Sequence, residues 1–371
     1  MGRHHPRHAG LRQPLTGDAR MPGPAIEEAH YEIPGFRFES GEQLPSLRIA
    51  YTRYGTLNAA RDNLLLVMPG TGNVRHSAAG HVGPGLAYDP SRYCVVLTDG
   101  IGGGDSSRPS EGLRERFPRY TVRDMARAHH LLARDGLGLG ATPVAVVAGA
   151  SMGAFQALEY AVHYPEHAAQ AVLLVPACRA GTLFRNVVRQ LIDTVRLDPA
   201  WQDGAYRQPP LAGLRAAGRH YFPWTVSDDY LDSLTEAQAA AACAGTGEWF
   251  AQWDAWDLLR RYEASAAHDV GQPFGGETAR ALAGVRARTL VLACEQDRLL
   301  GMSQAQCLAR GIPRAELAVF ASPKGHLAWR PDPGSPQTAA IARIVRQFLG
   351  LSVDTVPQTM YAGPAAPIGE G

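Results

Sequence analysis

The chain has 371 residues, of which 45% are hydrophobic and 19% are charged, and its 36 Lys and Arg residues balance 35 Asp and Glu residues to leave a net charge of +1. This composition is too apolar for a disordered chain. A net charge this close to zero argues against nucleic acid or an anionic membrane surface as the main partner. No run approaches the roughly 18 apolar residues of a membrane span, and the N-terminus lacks the apolar region of a secretory signal.

The cysteine pattern favours a reducing compartment such as the cytoplasm. The five cysteines lie far apart and form no C-x-x-C pair, a pattern that favours neither a zinc site nor a disulfide framework. We therefore expect a cytoplasmic protein with one large α/β domain carrying an insertion, or two modest domains.

In chain order, the pattern opens and closes with segments that lack hydrophobic periodicity. Residues 1–25, rich in Arg, His, Pro and Gly, and residues 356–371, rich in Pro, Ala and Gly, are predicted to be disordered or flexible tails. Between them, apolar or alternating runs predict strands at Arg48–Gly55, Asn63–Met68, Tyr93–Thr98, Val144–Ala148, Ala171–Val175, Thr289–Ala293 and Leu317–Phe320.

Helical patterns separate these strands. They cover Val122–Leu132, Ala154–His163 and Thr338–Leu349. Most strand runs are continuously apolar, which is typical of strands covered on both faces. Strands alternating with helices predict an open, mostly parallel, doubly wound α/β sheet.

The alternation of predicted strands and helices is interrupted in the third quarter of the chain. Residues 179–280 have a helical pattern without a clear strand and hold five of the six Trp residues. This stretch lies between two predicted strands, so we expect a helical lid inserted into a core formed by residues 26–178 and 281–355. In open α/β sheets the ligand binds at the carboxyl ends of the strands, where such a lid would line the pocket.

One motif carries chemistry. Gly149-Ala150-Ser151-Met152-Gly153 follows an apolar strand, precedes a helix and fits G-x-S-x-G. In this nucleophile elbow a serine occupies a sharp strand-to-helix turn whose neighbours must be small. The pattern predicts that Ser151 is a nucleophile.

A serine nucleophile requires a base and a residue that orients the base. Enzymes with this elbow place the acid and then the histidine later in the chain. Asp297 and His326 each follow a predicted strand in that order, so we expect Asp297 to orient His326. Glu295, two residues from Asp297, is the rival acid.

Two backbone amides are expected to stabilise the oxyanion. One is that of Met152, at the start of the helix behind Ser151, and the other lies in the loop after Asn63–Met68. The glycines of that loop allow close approach to a ligand. We choose Gly70 as the second donor, with Thr71 next.

Several motifs together resemble the homoserine O-acetyltransferase family of α/β-hydrolase-fold proteins over about residues 51–349. The matching stretches include Tyr54–Asn58, Thr121–Met125, Gly149–Gly153, Gln156–Ala161, Val188–Gln190, Asp198–Trp201 and Ser322–His326. The resemblance implies a triad of Ser151, Asp297 and His326, a helical lid, and a possible homodimer through that lid. It also matches Arg189 to the arginine with which the family binds the homoserine carboxylate.

The chain departs from that family at one position of consequence. Where the acetyltransferases have an Asp that contacts the substrate amine, directly after the histidine, this chain has Leu327. The loop Asp99–Pro109 is similar to hydrolytic relatives. We include Thr71, Tyr206 and Leu327 with Arg189 as candidate substrate-contacting residues.

These features lead to three hypotheses. The first is a hydrolase of a carboxylic ester or related small acyl substrate that works through an acyl-serine intermediate. The alternative is an O-acyltransferase that moves an acyl group from acyl-CoA, as a co-substrate, to a small alcohol. The third is a catalytically silent binding module. No metal and no tightly bound cofactor are expected in any of them.

Overall fold

The computed structural model describes residues 25–353. The two predicted tails, apart from Ala25, lie outside the described residues. The strands are β1 (Ile26–Arg37), β2 (Gln43–Tyr54), β3 (Leu64–Met68), β4 (Cys94–Thr98), β5 (Val144–Ala150), β6 (Ala168–Leu174), β7 (Arg288–Cys294) and β8 (Ala315–Phe320). The α-helices are α1 (Val122–Leu131), α2 (Met152–His163), α3 (Thr182–Arg196), α4 (Leu211–Thr225), α5 (Asp228–Asp232), α6 (Glu236–Ala251), α7 (Ala255–Ala266), α8 (Thr278–Ala283), α9 (Met302–Gly311) and α10 (Pro336–Phe348).

The strands form one sheet in the order β1-β2-β4-β3-β5-β6-β7-β8. The pairings β1–β2 and β2–β4 are antiparallel, and all the others are parallel. Along the central strand β3, Leu64 and Leu66 belong to one apolar core, whereas Leu65 and Val67 belong to the other. The sheet is therefore covered on both faces, and the predicted mostly parallel α/β architecture is confirmed.

The sequence set no bounds for β1, although a strand-like pattern begins at about Ala29, and it did not predict α9. β1 pairs with β2 over nearly its whole length, from Ile26 opposite Tyr54 to Arg37 opposite Gln43. It is an edge strand with mostly exposed side chains, several of them acidic, and it contains a Pro-Gly pair. These features hide the apolar signal on which strand prediction depends.

Six helices, α3 to α8, lie between β6 and β7. This is the region in which the sequence predicted a helical lid, and we call these helices the cap. Its largest internal contacts join α4 to α6 and α3 to α4, and α7 reaches the short helices that follow β4. Among the described residues, no helix is long and apolar enough to cross a bilayer.

Candidate active site

Ser151 lies at the turn between β5 and α2 in a backbone conformation that is rare for a residue with a side chain. Its φ is 56° and its ψ is −125°. A non-glycine residue in such a region costs roughly 1–3 kcal/mol and persists only where the surroundings impose it. Here the Ser151 N–H donates to the Leu174 carbonyl of β6 at 3.0 Å, and β5 and α2 are buried on either side.

Two glycines make this turn possible. A Cβ atom on Gly149 would overlap the Gly153 backbone and lie 2.8 Å from the Gly153 Cα. A Cβ atom on Gly153 would overlap the Met68 carbonyl oxygen and lie 3.2 Å from the Pro69 carbonyl carbon. The G-x-S-x-G spacing is thus a packing requirement between the elbow and the end of β3.

Gly153→Ala should lower the free energy of unfolding by about 3 kcal/mol, at the upper end of the range for overpacking. The added methyl group can only be accommodated by moving the β3 backbone. The matched control is Gly245→Ala in α6, where a Cβ would meet nothing within 4 Å, so that exchange should be neutral or stabilising by up to about 1 kcal/mol. Urea unfolding of both variants checks this prediction, and equal stabilities would contradict it.

The structure brings together the three side chains that the sequence selected. His326 Nε2 lies 2.9 Å from Ser151 Oγ, and His326 Nδ1 lies 2.7 Å from Asp297 Oδ2. His326 is 3% exposed and Asp297 is 7% exposed, whereas Ser151 is half-buried. The three groups form one continuous hydrogen-bonded chain that ends at a partly accessible hydroxyl.

Asp297, and not Glu295, provides the carboxylate in this chain. Asp297 Oδ1 accepts hydrogen bonds from the Leu299 and Leu300 amides at 2.9 and 3.1 Å, which leaves Oδ2 for His326. Glu295 is exposed. From the described residues its carboxylate accepts a single hydrogen bond, of 3.4 Å, from the neighbouring Gln296 side chain.

The loop that carries His326 is held between the acid loop and the cap. Gly325 has a φ of 53°, and a Cβ there would lie 3.0 Å from the Gln296 carbonyl oxygen and 3.2 Å from the Ser227 amide. Ser227, the N-cap of α5, donates through its hydroxyl to the Pro323 carbonyl at 2.8 Å. His326 lies in the short 3₁₀ helix Gly325–Trp329, which begins at this point.

The loop after β3 lies beside the elbow, where the second oxyanion donor is expected. A Cβ on Gly70 would lie 3.3 Å from the Ala150 carbonyl oxygen. Within the described part of the chain, the amides of Gly70, Thr71 and Met152 donate to no protein acceptor. Free amides at the end of β3 and at the start of α2 are suited to binding a negatively charged oxygen.

Gln156, on the buried face of α2, fixes the first peptide of this loop. Its Nε2 donates to the Pro69 carbonyl at 2.9 Å. Because a peptide is planar and trans, this bond also sets the direction of the Gly70 N–H, on the opposite side of the same plane.

Arg261, on cap helix α7, fixes the rest of the loop. Its side chain is fully buried. The guanidinium donates to the carbonyl oxygens of Thr71 (2.5 Å), Gly70 (2.8 Å), Asn73 (3.1 Å), Ile101 (3.2 Å) and Gly100 (3.3 Å). No carboxylate among the described residues forms an ion pair with it. Carbonyl dipoles surround this cation, which also lies 5.7 Å from the centre of the Trp253 ring, and burial lowers its pKa. The sequence did not indicate Arg261, because Arg260 beside it has the same chemistry and the pattern does not show which of the two arginines faces the loop.

The four candidate substrate-contacting residues occupy different environments. Thr71 is buried in the loop after β3, where its hydroxyl lies 3.1 Å from that of Ser265. Leu327 is half-buried next to His326. Tyr206 is buried, and its hydroxyl donates to Asp254 at 2.6 Å.

Arg189 is not brought to this site. It is exposed on α3, and within the described part of the chain its side chain makes a single hydrogen bond, of 3.4 Å, to Asn186. The apolar face of α3 packs inward, which leaves Arg189 on the outer, solvated face of the helix.

A groove of about 730 Å³ opens between the cap and the loop after β3. It is lined by Gly72 from that loop and by Trp249, Trp253 and Asp257 from the cap, among others. Burial raises the pKa of Asp257 to about 7, so this wall loses charge below neutral pH. Among the described residues, no group of His, Cys, Asp or Glu could hold a metal ion.

A family model described as the α/β-hydrolase fold matches residues 63–328. The chain belongs to the α/β-hydrolase family. Its curated relatives include homoserine O-acetyltransferases, as the resemblance of its motifs predicted. The one from Thermobifida fusca is 34% identical over 355 residues, covering 84% of this chain and 92% of that protein. The one from Clavibacter michiganensis is 31% identical over 362 residues, covering 85% and 92%.

Solved structures similar to this α/β hydrolase include esterases and homoserine O-acetyltransferases. The acetyl esterase MekB superimposes with a TM-score of 0.82 at 25% identity, covering 87% of this chain and 97% of that one. The homoserine O-acetyltransferase from Bacillus anthracis superimposes with a TM-score of 0.78 at 24% identity, covering 89% and 99%. The second likeness, at its lower identity, shows the fold alone.

Proposed function

We propose that this α/β hydrolase transfers acyl groups through a covalent acyl-Ser151 intermediate. The observation that carries the proposal is the unbroken chain of hydrogen bonds from Ser151 through His326 to Asp297. In this mechanism His326 takes the Ser151 proton as the hydroxyl oxygen attacks the acyl carbonyl, and then returns it to the leaving group. Asp297 holds the imidazole tautomer that makes Nε2 the acceptor, and it stabilises the imidazolium.

The backbone amides of Met152 and Gly70 are our proposed oxyanion donors. Neither amide donates to an acceptor among residues 25–353, and preorganised donors stabilise the tetrahedral intermediate without having to reorganise. The Thr71 amide, next in the loop, is the substitute if the reacting carbonyl lies deeper.

For the group that attacks the acyl-enzyme, an alcohol is the first candidate, which makes the enzyme an O-acyltransferase with acyl-CoA as the donor. The relatives named homoserine O-acetyltransferase, at up to 34% identity over most of both chains, favour this alternative over the ester hydrolase that we ranked first from the sequence. Homoserine itself is a poor fit here, because Leu327 offers its ammonium group no charge and Arg189 lies on the outer face of α3.

Water is the second candidate acceptor, which would make the enzyme an ester hydrolase. Its support is the apolar Leu327 beside His326 and the likeness to the acetyl esterase MekB at 25% identity. The two candidates share every step up to the acyl-enzyme and differ only in what deacylates it.

Release of free thiol from acetyl-CoA, followed with and without added small alcohols, separates the two. We expect wild-type protein to release thiol several-fold faster when a suitable alcohol is present, with an equivalent amount of O-acetyl product detected by mass spectrometry. Turnover of p-nitrophenyl acetate that no alcohol alters, together with no thiol release from acetyl-CoA, would establish the hydrolase instead. Failure of a fluorophosphonate to label Ser151 would contradict both.

A further inference from the structure

Arg330, four residues beyond His326, is a partly buried cation without a partner. Its Nε atom is fully buried and has no acceptor, and its guanidinium makes no hydrogen bond or ion pair with any described residue. Arg261, as described above, is held by carbonyl oxygens, and three further largely buried arginines are paired with carboxylates. These pairs are Arg75 with Asp99, Arg260 with Glu263 and Arg346 with Asp89.

The groups around Arg330 come from three cap helices. Its guanidinium lies 4.9 Å from the centre of the Trp249 ring of α6. The phenols of Tyr221 (α4) and Tyr262 (α7) are close enough for their electrostatic interaction with Arg330 to be the main influence opposing its desolvation. The two tyrosine rings are 5.6 Å apart, edge to face. A cation, an indole and two phenols thus lie near one another on this side of the cap.

This cluster adjoins the proposed reaction centre on two sides. Trp249 packs against Gly72 of the loop after β3, where an added Cβ atom would overlap the indole ring. Tyr262 follows Arg261, which holds the carbonyls of that same loop. Helix α4 also contacts the segment Gly325–Trp329 that carries His326.

We infer that Arg330 binds a carboxylate carried by the substrate of Ser151, with the Tyr221 hydroxyl as an additional donor. A guanidinium has five N–H donors in a planar fork that matches a carboxylate bidentately. Packing against an aromatic ring occupies the face of the guanidinium and leaves those in-plane donors available. A desolvated cation is costly unless an anion or aligned dipoles compensate it, and Arg330, unlike Arg261, has neither. Burial accordingly lowers the Arg330 pKa.

The inference deepens the proposed function and rests on it. It describes the substrate as an ester or alcohol that also carries a negatively charged group. The carboxylate belongs either to the acyl group or to the alcohol part, and the experiment below has an arm for each. It also predicts that long neutral acyl chains are poorer substrates than short chains ending in a carboxylate.

The test compares charged and neutral members of two substrate pairs. p-Nitrophenyl hydrogen adipate and p-nitrophenyl methyl adipate examine the acyl side, and acetoxyacetate and methyl acetoxyacetate examine the alcohol side. We expect kcat/KM of wild-type protein to favour the charged member of one pair by about 10-fold or more, the effect of one charge-assisted contact. Arg330→Gln should lose this preference, and Arg330→Lys should retain part of it. Arg215→Gln, which removes an exposed cap arginine paired with Glu248, should keep it in full.

Equal kcat/KM values within both pairs for wild-type protein, or a preference that survives in Arg330→Gln, would overturn the inference. Absence of Ser151-dependent turnover of all four esters, together with no Ser151-dependent release of thiol from acetyl-CoA in the presence of small alcohols, would instead overturn the proposed function. In that event calorimetric titration with adipate decides on Arg330 alone. Binding weakened about 10-fold or more by Arg330→Gln supports the subsite, and equal or absent binding in both proteins rejects it.

Discussion

Replacing Ser151 by alanine should lower kcat for ester or thioester cleavage by about 10⁴-fold or more, because no other group can form the acyl-enzyme. In the proposed mechanism His326 and Asp297 act only through the serine oxygen, so removing two of the three residues should cost little more than removing one. Steady-state rates with p-nitrophenyl acetate and acetyl-CoA measure the effect. Ser233→Ala, which removes a cap hydroxyl bonded only to the Tyr230 carbonyl, is the control for loss of a serine as such.

Stability measurements on the same position test whether the elbow is strained. Alanine keeps the unfavourable φ of 56°, whereas glycine adopts this conformation freely. Ser151→Gly should therefore unfold at a free energy roughly 1–2 kcal/mol higher than Ser151→Ala, although both are inactive. Equal unfolding free energies would mean that the turn is relaxed, and residual activity of Ser151→Ala within about tenfold of wild type would contradict the proposed nucleophile.

The parts of the site that could be predicted from the sequence are those specified by local patterns. A continuous apolar run followed by Gly149, Ala150 and Gly153 predicts a tight turn after a buried strand, and the structure has that turn. The acid and the histidine were found because each follows a strand, and the carboxyl ends of parallel strands meet at one edge of a sheet. The order of the motifs was therefore enough to bring Asp297 and His326 together.

What could not be predicted depends on which face of a helix meets which loop. Arg189 carries the signal of a carboxylate-binding arginine, yet the helix that contains it presents it to solvent. Arg260 and Arg261 are adjacent and chemically identical, but one pairs with Glu263 and the other enters the core. A sequence gives the rotation of a helix only through its apolar stripe, and α7, with its buried Arg and Asp residues, does not have a clean one.

Replacing Arg261 by methionine should lower kcat by about 10²-fold, close to the loss of one oxyanion donor, while leaving KM within a few-fold. Arg261 touches no reacting atom, so it is a positioning residue. By holding the Gly70 and Thr71 carbonyls it fixes the two peptide planes that follow the Gly70 amide, while Gln156 fixes the plane that carries it. Without the guanidinium these peptides can rotate, and the donors then have to reorganise in every turnover.

The loss of kcat in Arg261→Met has to be distinguished from a loss of stability. The free energy of unfolding should fall by about 3 kcal/mol in Arg261→Met, because buried carbonyls lose their donors. Arg260→Met is the matched control. It removes a neighbouring, equally buried arginine that bonds Glu263 and the Glu115 carbonyl but not the loop, so it should lose stability without losing kcat.

The decisive measurement is the affinity of a neutral trifluoromethyl ketone, which forms a tetrahedral adduct with the serine and places its oxygen in the oxyanion site. If Arg261 organises that site, the affinity of Arg261→Met for the ketone should fall in proportion to kcat/KM, as expected for a transition-state mimic. Arg260→Met should bind it like wild type, and Arg261→Lys, whose ammonium reaches fewer carbonyls at once, should fall between them. Unchanged ketone binding in Arg261→Met, with activity lost only as the protein unfolds, would show that the cap arginine stabilises the fold and leaves the oxyanion loop correctly arranged without it.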